Sequence, residues 1–251
     1  MFTVIYHSLL IGAALFVPIP LLDDRLATFL WKHMVSDLAK NHGQTLTNAQ
    51  LRALSYQSGF ALSDGCIYVI IRIFTDLVQE ILFFLEWHKA INLATDAYYS
   101  GYLLNELLAS EDFDPTKATQ YAVAMQRAKQ GINRKWVQGV YRAQFRSGKR
   151  ILTSVVKWLS SITVGYVKTS WARRKTKRNS DDASEQQMEN FFEMHKSRFQ
   201  ELLKDLIASL QSGIGNLPKE HFDDLRHKLF EELHKLDEGV PATETQSHRE
   251  I

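Results

Sequence analysis

Apolar residues recur at three- and four-residue spacing along almost the whole chain, and no stretch sustains a period of two. No Asn-Gly or Asp-Gly turn lies between β-rich runs, so hairpins have no local signal. The pattern predicts an all-α fold, a helical bundle with an additional C-terminal αα-hairpin. With 5 Pro and 12 Gly in 251 residues, loop-rich and low-complexity architectures are excluded. A single cysteine, Cys66, excludes an intrachain disulfide framework and every CxxC motif.

The breaks between helices follow from local chemistry. A first helix over 2–16 stops at Pro18-Ile19-Pro20. A second, about 21–41, carries the stripe Leu22, Leu26, Phe29, Leu30, Met34 and Leu38 and closes at His42-Gly43. Asp23 and Asp24 fall at its start, where acidic side chains complement the helix dipole. Thr47 and Gln50 have capping-box spacing for a short helix over about 47–57. A long helical region runs from Ser63 or Asp64 to about Ser110, with Arg72 and Asp76 four apart as a surface pair. Gly101 marks a break in it or a close helix contact. Asp114-Pro115 is a start signal for helices over about 116–130, 133–147 and 149–171, or for one bent helix.

Net charge is only +2, but its distribution is uneven. Residues 1–114 have a balance of −6, residues 115–178 hold 16 Lys and Arg with no carboxylate, and residues 179–251 have a balance of −8. Such a segment needs an anionic partner: lipid headgroups, nucleic-acid phosphate, or the acidic remainder of its own chain. Within it, Arg150, Lys157 and Lys168 share a helical face opposite Trp158 and Tyr166. Trp171, Arg173, Arg174, Lys175, Lys177 and Arg178 follow. A second basic set comprises Arg127, Arg134, Lys135, Arg142, Arg146 and Lys149. Aromatics at the headgroup boundary and cations worth about 1 kcal/mol each make an anionic lipid surface a coherent partner. Nucleic acid fits less well, because no zinc-finger spacing, RNP-like motif or helix-turn-helix accompanies the charge.

Spanning a bilayer as a helix takes about 20 apolar residues. The run before Pro18 is shorter, so an interfacial, re-entrant or buried helix fits 2–22 better, although insertion stays open. Lys157 near the middle of 151–171 counts against a span there. The expected localisation is peripheral, on the cytoplasmic face of a membrane.

Residues 172–184 read as a linker separating a body, 1–171, from a hairpin, 185–237, with a disordered tail over 238–251. Phe192, Phe199, Leu202 and Leu206 line one hairpin helix, and Phe222, Leu225 and Leu229 the other, in a coiled-coil-like seam. Two helices alone bury little, so the hairpin docks on the body, on a protein partner or on a second copy.

Catalytic motifs are missing. The sequence has no HExxH, no His pair four apart, no GxGxxG, no P-loop and no GxSxG. His227 and His234 share a face, as surface histidines often do, and Cys66 opens an apolar run as a buried thiol would. No catalytic residue, metal ligand or cofactor is assigned, and the chain is read as non-enzymatic.

Pro18-Ile19-Pro20-Leu21-Leu22-Asp23 forms a Pro-Ile-Pro-x-x-Asp element, and Ser100-Gly101-Tyr102-Leu103-Leu104 a later glycine-bearing helix. Over about residues 10–110 this resembles the hydrophobic helix pair of the bacterial EcsC-like and GTPase-associated helical families. The resemblance implies a helical, membrane-associated bacterial accessory protein without established catalysis, and assigns no site residues.

Overall fold

A computed structural model describes residues 1–16, 23–55, 79–148, 151–156 and 180–238. Every regular element among them is helical: α1 (Phe2–Ala14), α2 (Asp23–Asn41), α3 (Asn48–Ser55), α4 (Gln79–Ala109), α5 (Ala118–Gln130), α6 (Lys135–Ser147), α7 (Ser180–Gly215) and α8 (Lys219–Asp237). Residues 151–156 are helical as well. The chain is an all-α helical bundle.

The local signals act as their chemistry requires. Gly43 takes φ +69° after α2. Gln44 N–H then reaches the Ala39 carbonyl, and Gly43 N–H the Lys40 carbonyl, the two bonds of a Schellman cap. Thr47 and Gln50 form the reciprocal box: Thr47 N–H donates to Gln50 Oε1 at 2.8 Å, and Gln50 N–H to Thr47 Oγ1 at 3.4 Å. Asp114 accepts from Thr116 N–H at 2.9 Å. It caps a 3-10 turn, Pro115–Lys117, from which α5 grows. α5 ends at Gly131 and α6 at Gly148, so the two are separate helices and not parts of one bent helix.

α1 is buried along most of its length. From Val4 to Ala14 every residue is buried, against α4 along most of its length and against α2 and α7 elsewhere. Close approach to α4 rests on two glycines. A Cβ at Gly12 would lie 2.8 Å from Ala94 Cβ, and one at Gly101 would lie 2.8 Å from Val4 Cγ1. Gly101 thus marks a helix contact and not a break, inside an unbroken α4.

The C-terminal hairpin differs from its expected form. α7 begins at Ser180, before residue 185, and runs through Gly213 to Gly215. Its two helices do not make a mutual seam. α7 packs on α1 and α6, and α8 packs on α5 with a smaller contact to α4. Phe192, Phe199, Leu206, Leu225 and Leu229 are buried in the same core as α1, so of the coverings expected for this stripe the chain's own body is the one found, and these residues are not free for a partner. Phe222 packs on the Tyr102 ring at 5.2 Å, while Leu202 is exposed. An amphipathic stripe of period 3.6 requires a covering surface but does not say which one.

Candidate functional site

Two arrangements of charge stand out, one on the surface and one buried. The surface one lies in the carboxylate-free segment, where α5 and α6 treat their cations differently. Lys129 on α5 is 1% exposed, yet its ammonium is well partnered. It donates to Asp96 at 3.1 and 3.2 Å and to Ser100 Oγ at 2.7 Å, both on α4. Burial pulls its pKa down against the opposing pull of Asp96. Arg127 pairs with Glu232 of α8 at 3.6 Å, and Lys117 with Asp237 at 2.9 Å. Arg134, just before α6, shares Asp96 at 3.1 Å.

Lys135, Arg142 and Arg146 of α6 are different. All three are exposed and have no carboxylate within ion-pair reach among the described residues. At 100° per residue they fall within a narrow stripe, with Gly139 between them. A Cβ at Gly139 would meet nothing within 4 Å among the described residues, so none of them covers the stripe there. Trp136, next to Lys135 at the start of the helix, is 48% exposed. The opposite face, Val137, Tyr141 and Phe145, is buried.

Of the residues singled out in the sequence, Lys149, Arg150, Lys157, Trp158, Tyr166, Lys168, Trp171, Arg173, Arg174, Lys175, Lys177 and Arg178 lie outside the described residues, as do Cys66, Arg72, Asp76 and Pro18-Ile19-Pro20. At 151–156 the apolar face is turned inward: Leu152 and Val155 are buried in the core and unavailable to lipid. Among the described residues no helix is long and apolar enough to cross a membrane.

The buried arrangement joins α1, α2 and α7, and the sequence pattern alone does not bring its members together. Asp37 of α2 accepts at Oδ2 from His7 Nε2 of α1 at 3.0 Å and from Lys196 Nζ of α7 at 2.7 Å. Lys196 also contacts Glu193 Oε1 at 3.3 Å. His33, one turn before Asp37 on α2, brings Nδ1 to 3.9 Å from the same Glu193 oxygen. Phe192 packs against both imidazoles, 4.8 Å from the His33 ring and 6.5 Å from that of His7.

The electrostatics follow from burial and pairing. Desolvation pushes both imidazoles below their ordinary pKa, His33 to about 4, so both are neutral at neutral pH. Burial opposes the Asp37 charge, but hydrogen bonds from His7 and Lys196 outweigh it and hold the carboxyl well below the usual carboxylate range. Since ionised Asp37 can only accept, neutral His7 carries its proton on Nε2. The Nδ1 atoms of His7 and His33 are buried without a hydrogen-bond partner among the described residues.

One local signal did point here: His33 and Asp37 are four apart on a predicted helix. Lys196 lies 159 residues from Asp37, and no local pattern links them.

Compared with protein-family models, with curated proteins and with solved structures, the chain matches none.

Proposed function

We propose that this chain is a non-enzymatic helical protein that attaches peripherally to an anionic membrane surface through the exposed basic stripe of α6 and the carboxylate-free segment around it. The observation that carries this reading is the stripe Lys135, Arg142 and Arg146, uncompensated among the described residues, with a half-exposed Trp136 beside it. Cations near an anionic bilayer contribute about 1 kcal/mol each, so three supply about 3 kcal/mol, near a 150-fold gain in partitioning. An indole beside them suits the headgroup boundary. Attachment is mainly electrostatic, because the apolar faces of α6 and of 151–156 are spent on the protein core.

Co-sedimentation of the full chain with phosphatidylserine-containing and phosphatidylcholine vesicles tests the reading. Binding is expected to need the anionic lipid, to weaken with salt, and to fall about 100-fold in the triple variant Lys135→Gln, Arg142→Gln, Arg146→Gln. Equal binding to neutral vesicles, or tighter retention on RNA or duplex DNA than on anionic vesicles at physiological salt, would overturn it.

A further inference from the structure

The charge cluster joining α2 and α7 contains a donor set that its hydrogen bonds do not explain. A ring nitrogen of His33, an Asp37 carboxylate oxygen and a Glu193 carboxylate oxygen lie within 4.8 Å of one another. His33 is 6% exposed, and its Nδ1 is buried, unpartnered among the described residues and aimed at Glu193. At 3.9 Å that pair is too long for a hydrogen bond in either tautomer. A buried imidazole nitrogen without a partner is costly, and a metal cation held between it and the two carboxylates would give that nitrogen one.

We propose that His33, Asp37 and Glu193 form a binding site for a first-row divalent transition-metal ion such as Zn²⁺. Metal–ligand bonds of about 2.1 Å at tetrahedral or octahedral angles separate donor atoms by about 3.0–3.4 Å, so the ligands need to close by roughly an ångström. His33 and Asp37, one turn apart on α2, supply two ligands from one rigid element, and α7 supplies the third. One imidazole with two carboxylates favours zinc, manganese or iron over calcium or magnesium, which prefer oxygen alone. Glu193 is half-exposed and gives an entry path and room for water ligands. His7 donates to Asp37 from α1 and orients that carboxylate, as outer-shell partners of metal ligands do.

Lys196 takes the position of a competitor. Its ammonium bridges the two carboxylates, 2.7 Å from Asp37 and 3.3 Å from Glu193. It neutralises them when no metal is bound and must leave when one arrives. Its side chain is partly exposed, so the ammonium can swing into water. The site is therefore held closed by an internal cation until the metal concentration is high enough to displace it.

The test uses the full chain stripped with chelator, Zn²⁺ by calorimetry and Co²⁺ by visible absorption. One saturable site per chain is expected, about tenfold tighter in Lys196→Met and about tenfold or more weaker in His33→Ala and Glu193→Gln. His227→Ala with His234→Ala, on α8, should leave it unchanged. Because Glu193 is exposed, Glu193→Gln keeps the comparison valid even where a core substitution unfolds the chain, and helical circular dichroism checks each variant. No saturable site in folded Lys196→Met, or wild-type affinity in both folded His33→Ala and Glu193→Gln, would overturn the assignment.

Discussion

α5 and α6 are neighbours in a stretch of sequence with no carboxylate, yet their cations end in opposite states. α5 faces two acid-bearing helices. Asp96 of α4 takes Lys129, and Glu232 of α8 takes Arg127. α6 turns Val137, Tyr141 and Phe145 inward and leaves Lys135, Arg142 and Arg146 exposed among the described residues. Charge counted along the sequence therefore overstates the charge free to act. What decides is whether a tertiary neighbour brings an acid, and among the described residues the acidic flanks of this chain reach α5 and leave the stripe of α6 unpaired.

The sharpest way to break the contrast is to strip α5 of its acid. Asp96→Ala leaves the Lys129 ammonium buried without its carboxylate and is expected to cost about 3–5 kcal/mol in urea unfolding. Lys129→Met in the same background should recover much of it. An unchanged midpoint in Asp96→Ala would mean that the pair contributes nothing.

Buried neutral groups extend the comparison to pH. The His7 and His33 pKa values are lower in the fold than in the unfolded chain, so the unfolded chain binds more protons between them. Their stabilisation is complete above about pH 6.5 and is lost as pH falls through about 4 for His33. The loss from His33 is on the order of 3 kcal/mol. Unfolding midpoints measured from pH 7 to pH 4 should fall steadily, and a flat profile would contradict neutral burial.

Gly139 gives a smaller effect of opposite sign. It lies inside α6 on the open face, so Gly139→Ala should stabilise by about 0.5–1 kcal/mol, read as a rise in midpoint. If the alanine destabilises, the stripe is covered and not open. The smallest effect separates the two helices directly. Arg127→Ala should cost up to about 1 kcal/mol with its partly buried partner. Arg142→Ala should stay within about 0.5 kcal/mol. Equal costs would erase the distinction between them.

Most of the local structure was legible in the residues. The Thr47–Gln50 box, the Asp114 cap and the Gly43 terminus are each written within six residues, and the structure forms each of them. The stripe Leu26, Phe29, Leu30, Met34 and Leu38 is buried throughout. Periodicity names a buried face but not its partner, which is why α7 and α8 read as a seam with each other while they pack on different parts of the body. The candidate metal site was illegible for the same reason. His33 and Asp37 share one turn, but Glu193 and Lys196 reach them only through tertiary packing around Phe192.

The burial of α1 also bears on the order in which the chain is made. Its cover comes from α4, some eighty residues downstream, and from α7, whose Phe192 follows by nearly two hundred. At ribosomal rates of about 5–20 residues per second, that apolar helix waits roughly 10–40 s for its last neighbour. Until Phe192 is made, the His7 side of α1 lacks the ring that stacks on it in the finished fold.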